Sequence, residues 1–245
     1  MTQSKTVLVT GGSRGIGAAT SLLLASQGYQ VAVNYLRQQD EASQLVEKIR
    51  SGGGQAQAFQ ADISHEAQVI RLFEQIDSLL GPVTHLVNNA AILLPQSRLI
   101  DMDVERISRL LQVNVTGTFL CCREALKRMQ SGAAIVNVSS VAARTGSPNE
   151  YIDYAASKGA IDSLTRGLAV EVAPQGIRVN AVRPGFIHTR MHADGGEPER
   201  IERLKSRIPM GRGGEPEEVA AAIAWLLSDQ ASYLTGTFMD LAGGV

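Results

Sequence analysis

Cysteine is nearly absent: the chain has two among its 245 residues, Cys121 and Cys122. They are neighbours in a helix-like stretch, where side chains about 100° apart do not form ordinary disulfides. No CxxC spacing or adjacent base marks a reactive thiol, so buried thiols are expected. An excess of charge of one sign is also lacking. Lys and Arg number 23 against 24 Asp and Glu, interleaved along the chain. Nothing resembles the basic stripe that nucleic acid or an anionic membrane surface requires, which excludes both partners. No apolar run approaches the roughly 20 residues of a membrane span. Residues 1–5 are too short and too polar for a signal peptide, so a cytoplasmic protein is expected. Internal repeats are missing as well.

What is present is 44% hydrophobic content, enough for a large core in one domain spanning residues 1–245. Short β-branched runs alternate with helical periodicity, the pattern of a parallel sheet covered by helices on both faces. Apolar runs bounded by Gly, Pro, Asn or Asp predict seven strands, at residues 6–9, 31–33, 56–60, 85–87, 134–138, 177–182 and 236–241. Between them, Val69, Leu72, Phe73, Ile76, Leu79 and Leu80 recur at helical steps, as do Val219, Ile223, Leu226 and Leu227. Gly81-Pro82 should stop the first of these helices, and Glu215-Pro216-Glu217-Glu218 should start the second. The fold class is therefore α/β: a single doubly wound Rossmann-type domain with a seven-stranded, mainly parallel sheet. Residues 186–214 break the rhythm with Gly195-Gly196, Pro198, Pro209 and Gly211-Arg212-Gly213-Gly214 around a charged helical piece at 199–207. An insertion of this kind late in such a fold reads as a substrate lid.

The first strand runs into Gly11-Gly12-Ser13-Arg14-Gly15-Ile16-Gly17 and then a helix. Glycines permit close backbone approach, and a helix N-terminus offers unpaired N–H groups to a pyrophosphate. Taken alone, such a turn can also be an ordinary glycine-rich strand-to-helix connection. Its spacing is not GxGxxG, and without Gly-Lys-Ser/Thr it is not a nucleotide triphosphatase loop. At the tip of the second strand, where a carboxylate would grip an unphosphorylated ribose, stand Asn34-Tyr35-Leu36-Arg37. Arg14 and Arg37 could bracket a 2′-phosphate, which favours NADP(H). The competing reading makes both arginines solvated and lets Asp40 or Glu41 reach a ribose.

Tyr154 and Lys158 are four apart in a helical segment at 151–172, so both project from one face. An ammonium there could lower the phenol's pKa toward neutrality, fitting Tyr154 to exchange a proton with a substrate oxygen. Ser140 ends the fifth strand at the carboxyl edge, where open α/β sheets bind ligands, with Ser139 as its competitor. His188 and His192 are four apart but have no evident third ligand, so no metal is expected. Ser139-Ser140 lacks the flanking glycines of a nucleophile elbow, which excludes a serine hydrolase.

The glycine turn, Asn88-Asn89-Ala90-Ala91, Ser140, Tyr154-Ala155-Ala156-Ser157-Lys158 and Pro184-Gly185 together resemble the short-chain dehydrogenase/reductase family, nearly end to end. Within it the run Glu150-Tyr151-Ile152-Asp153-Tyr154 is similar to glucose or sugar dehydrogenases, with 3-oxoacyl-carrier-protein reductases as the alternative. The resemblance implies reversible hydride transfer between NADP(H) and a carbonyl or secondary alcohol. It implies catalytic roles for Asn114, Ser140, Tyr154 and Lys158. Asn114, in the helical stretch at 104–129, would bend that helix and hold a water beside Lys158. It further implies cofactor contacts from Gly11, Ser13, Arg14, Gly15, Ile16, Gly17, Asn34, Tyr35, Arg37, Asp62, Ile63, Asn88, Ala90, Tyr154, Lys158, Pro184, Gly185, Ile187 and Thr189. Ala91 departs from the family's usual glycine, and Leu241-Ala242-Gly243-Gly244 from its usual Asp-Gly-Gly ending. Family members are commonly homotetramers. Arg144, Glu150, His188, Arg190 and His192 would present polar groups to a small, hydroxylated substrate. The alternative from another class is a dinucleotide-binding sensor or scaffold without catalysis.

Overall fold

In the computed structural model, which describes residues 5–245, seven parallel strands form one sheet in the order β3-β2-β1-β4-β5-β6-β7. The expected signal-peptide test at residues 1–5 falls, up to residue 4, outside the described residues. The strands are β1 (Thr6–Val9), β2 (Gln30–Tyr35), β3 (Gln55–Gln60), β4 (His85–Asn88), β5 (Ala134–Val138), β6 (Arg178–Pro184) and β7 (Phe238–Leu241). All seven expected strands are present. The sheet is wholly rather than mainly parallel, because every connection crosses over through a helix. β6 runs two residues further than its apolar run, through Arg183 and Pro184, since these still pair with Asp240 and Leu241.

Helices cover both faces: α1 (Gly15–Ser26), α2 (Gln39–Ser51), α3 (Glu66–Leu80), α4 (Val104–Leu111), α5 (Gly117–Leu126), α6 (Ala142–Thr145), α7 (Ile152–Val172), α8 (Met191–Asp194), α9 (Arg200–Leu204) and α10 (Pro216–Leu227). Alternate residues of the central strands feed two cores. Val7, Val9, Val31, Val33 and Val136 pack with α1, α2 and α10, whereas Leu8, Ala32, Leu86 and Ile135 pack with α3, α5 and α7. Cys121 and Cys122 are buried in the second core, and burial pushes both thiols up, Cys122 to about 12, so they are inert. Gly81 ends α3 at φ 83°, and Glu218 closes the start of α10 by accepting from the Glu215 N–H at 2.8 Å. No helix among the described residues is long and apolar enough to cross a membrane.

Two expected helices differ. The 104–129 stretch is not continuous, because Gln112–Thr116 forms a π-helical turn between α4 and α5. One extra residue in a turn leaves the local hydropathy pattern almost unchanged, so periodicity does not reveal it. The charged piece at 199–207 is α9 followed by a 3₁₀ turn at Lys205–Arg207.

A buried polar ladder fixes α7 against the sheet. Asn88 Nδ2 donates to Asn137 Oδ1 at 2.9 Å, and Asn137 Nδ2 donates to Thr165 Oγ1 at 2.9 Å. All three residues are almost fully buried, where an unpaired amide or hydroxyl carries its whole desolvation penalty. Asn137→Leu keeps the shape and removes both bonds. It should destabilise the fold by about 2–4 kcal/mol in urea unfolding, and a change near zero would show that the ladder contributes nothing.

Candidate active site

At the carboxyl ends of β1, β2 and β4 lies a cavity of about 930 Å³. The glycine turn forms its floor because its backbone packs closer than side chains would allow. A Cβ on Gly17 would lie 2.3 Å from the Gly11 carbonyl oxygen, and one on Gly11 would lie 3.0 Å from Ala90 Cα. Gly11 and Gly15 also take φ 58° and 52°, which favour glycine. α1 carries no acid in its first turn and no side-chain cap, so its N-terminal N–H groups face the cavity unneutralised. Thr10, at the end of β1, ties the neighbouring strand to this turn: its Oγ1 accepts from the N–H groups of Asn89 and Ala90 at 3.0 and 3.1 Å. Asn89 Nδ2 answers by donating to the carbonyls of Thr10 and Gly11, both at 3.0 Å.

Of the residues expected at the cofactor, Gly11, Ser13, Arg14, Gly15, Ile16, Asn34, Tyr35, Arg37, Asp62, Ile63, Ala90 and Thr189 line this cavity. Asn34 is buried and braced, its Oδ1 accepting from the Gly11 N–H at 3.3 Å and its Nδ2 donating to the Ala61 carbonyl at 3.1 Å. Asp62 accepts from the Ser64 N–H at 2.9 Å and from its hydroxyl at 2.6 Å. These bonds and His65 hold its carboxyl below the usual range against the opposing effect of burial. Gly17, Asn88, Tyr154, Lys158, Pro184, Gly185 and Ile187 lie outside the cavity lining. Gly17 allows the glycine turn to close, and Asn88 belongs to the buried ladder. Ile187 lines a second cavity of about 290 Å³ with Gly213, Leu241 and Gly243. Sequence reasoning missed Lys48, Arg109 and Gln112, which also line the large cavity. They stand on helices that only the folded chain brings to it.

Lys158 is buried, and its Nζ donates to the Val138 carbonyl at 2.7 Å, at the end of β5. Its ammonium lies 5.5 Å from the centroid of the Tyr154 ring, so the helical spacing does place both groups on one face. The expected lowering of the phenol's pKa is reversed: burial pushes Tyr154 up to about 12, and a hydrogen bond with Ser140 opposes it. Lys158 is directed at a carbonyl rather than at the phenol oxygen, and desolvation prevails. Burial likewise lowers Lys158 to about 8, opposed by the charge of Asp162.

Asp162 is the centre of a buried chain of charges. It accepts from Ser139 Oγ at 2.7 Å and from Arg183 Nη2 at 2.7 Å. Arg183 leads on to Asp240, which also pairs with Arg144. Ser139 is thereby committed to α7, bonding Asp162 and the Lys158 carbonyl. Ser140 is left as the hydroxyl at the strand end, accepting from the Ala142 N–H at 3.1 Å. Asn114 sits in the π-helical turn, which supplies the expected irregularity in that helix. Its side chain bonds the backbone of Ile92 and the hydroxyl of Ser157. Nδ2 donates to the Ile92 carbonyl at 3.0 Å and to Ser157 Oγ at 3.2 Å, while Oδ1 accepts from the Ile92 N–H at 2.8 Å.

The five polar residues expected to face the substrate all have protein partners. Arg144 pairs with Asp240, Glu150 with Arg200 and Arg203, and Arg190 with Glu41. His192 Nε2 lies 3.0 Å from the Ile187 carbonyl and His188 Nε2 lies 3.9 Å from Glu215.

A parallel sheet of this order, with a glycine turn leading into a helix N-terminus at the ligand-binding edge, defines a dinucleotide-binding α/β protein. A family model described as enoyl-(acyl carrier protein) reductase matches residues 11–245. The chain belongs to the short-chain dehydrogenase/reductase family of oxidoreductases. It is 63% identical to the uncharacterised oxidoreductase YgfF of Escherichia coli K12, over 97% of this chain and 98% of that one. It is 42% identical to 3beta-hydroxysteroid dehydrogenase 1 of Eggerthella lenta, over 99% of this chain and 94% of that one. Among solved structures, a short-chain dehydrogenase from Burkholderia cenocepacia J2315 in complex with NADP has a TM-score of 0.91 at 34% identity, covering 98% and 97% of the two chains.

Because Asp162 stabilises the buried ammonium, Asp162→Asn should move the Lys158 titration midpoint below its value of about 8. An NMR titration of the lysine ε position reads this directly. An unmoved midpoint would mean that the carboxylate does not act on Lys158.

Proposed function

We propose that the protein interconverts a carbonyl compound and its alcohol with NADP(H), with Tyr154 carrying the proton. The observation behind this reading is the pair formed by the Tyr154 phenol, whose pKa Ser140 lowers, and the Lys158 ammonium on the same face of α7. When bound, NADP(H) supplies or takes up the hydride. The pyrophosphate would rest on the glycine turn and the α1 N-terminus, with Arg14 and Arg37 near a 2′-phosphate. Asp62 and the Ala90 segment would border the adenine and ribose. Lys158 would hold the nicotinamide ribose, and Ile187 and Thr189 the amide. Ser140 would orient the substrate oxygen, and Tyr154 would give it a proton as it gains negative charge. A phenol held at about 12 is fully protonated at neutral pH, which suits it to act as an acid in the direction of carbonyl reduction. Asn114 would act by pinning Ile92 and Ser157 rather than by touching the substrate.

Residues 186–214 would form the substrate lid of a single domain. Their front bears Thr189, Arg190 and Met191 on the cavity. Their rear is anchored: Tyr151 donates to the Gly195 carbonyl at 3.1 Å, Gln96 to Glu197 at 2.6 Å, and Arg200 pairs with Glu150 beneath. No polyhydroxyl preference is proposed. A less polar carbonyl compound is in keeping with the relative named for a hydroxysteroid.

Tyr154→Phe should abolish NADPH oxidation against a panel of ketones, aldehydes and acyl thioesters while keeping NADPH binding. Retained turnover would refute Tyr154 as the proton donor. We also propose a homotetramer, since Val104, Phe119 and Val170 leave large apolar side chains exposed on α4, α5 and α7. Sedimentation velocity should give four chains per particle, and a monomer would overturn this.

A further inference from the structure

The cavity has a rim where two ion pairs bridge the 186–214 segment to the dinucleotide-binding half. Arg190 Nη1 bonds Glu41 Oε1 at 2.8 Å, joining that segment to the first turn of α2. Arg14 Nη2 bonds Asp194 Oδ2 at 2.8 Å, joining the glycine turn to α8. Arg190 and Glu41 both line the cavity, along with Arg37 and Lys48 from the β2–α2 side. Glu41 thus puts a carboxylate on the cavity lining just past β2, the side of a dinucleotide site where a ribose hydroxyl and a 2′-phosphate are told apart. Asp40, its sequence neighbour, is exposed and outside the lining.

A free carboxylate there would accept hydrogen bonds from a ribose diol and repel a phosphate. A carboxylate already bonded to a guanidinium does neither well. We infer that Arg190 is a specificity-determining residue: by neutralising Glu41 it makes this rim admit the phosphorylated dinucleotide and denies the unphosphorylated one its acceptor. Discrimination then rests on suppressing a repulsion as much as on an added attraction. The pair is largely exposed, with side-chain exposures of 68% for Arg190 and 31% for Glu41, so it contributes little to fold stability and is free to act on the ligand. This inference rests on the NADP(H) reading above.

Fluorescence titration of NADPH and NADH gives dissociation constants without turnover. The wild type should bind NADPH more tightly. Arg190→Ala should weaken NADPH about tenfold relative to NADH, and the Arg190→Ala/Glu41→Gln double variant should restore the wild-type ratio. Glu41→Gln alone should leave NADPH binding unchanged or tighter. An unchanged ratio in Arg190→Ala overturns the inference while leaving the NADP(H) reading intact. A double variant as weak as Arg190→Ala also overturns it, because Arg190 would then contact the phosphate itself. Wild-type preference for NADH overturns the NADP(H) reading and the inference with it.

Discussion

Burying an ammonium constrains this molecule more than any other requirement. Lys158 is held almost out of water, and the surrounding chain is arranged to make that tolerable. The Val138 carbonyl accepts from it, which fixes α7 at the end of β5. Asp162, one turn further along α7, supplies the opposing charge, and Arg183 and Asp240 then neutralise one another outward toward Arg144. Arg144 sits on α6, just after Ser140, so the hydroxyl at the strand end belongs to the same electrostatic unit as the lysine. The alternation of signs gives each of these five charges an opposite neighbour.

The cavity has a different physical basis. Its floor is made by the absence of side chains, and its walls are held by amides that bond to backbone rather than to one another. Asn34 joins β2 to the glycine turn and to the end of β3, and Asn89 joins β4 to the same turn. Such bonds fix backbone positions while leaving the N–H groups of α1 unclaimed. Two of its charged contacts join distant parts of the chain, Arg190 with Glu41 and Arg14 with Asp194.

The strands were legible because a parallel sheet buried on both faces reads as continuous apolar runs. The glycine turn and the Tyr154/Lys158 spacing were legible because each is local. Other features were hidden for identifiable reasons. Asn88 and Asn89 point to opposite sides, one into the Asn137 ladder and one onto the glycine turn, and no composition rule says which does which. The Arg190 and Glu41 partnership joins residues 149 positions apart. The direction of the Tyr154 shift depended on how deeply the phenol is buried and on where Lys158 donates, and both are tertiary facts. The five polar residues read as substrate contacts each meet a partner elsewhere in the chain, which sequence spacing does not reveal.

The π-helical turn at Gln112–Thr116 places one residue more in the stretch than regular helical bonding accommodates, and Asn114 occupies it. Removing one residue would allow the backbone ladder to close regularly from α4 into α5. It would also rotate the upstream part by about 100° relative to the downstream part, turning the amide away from Ile92 and Ser157. The irregularity is therefore a place where chain length, as well as the identity of Asn114, is under constraint. An insertion or deletion there would uncouple the cavity wall from the helix that carries Tyr154 and Lys158.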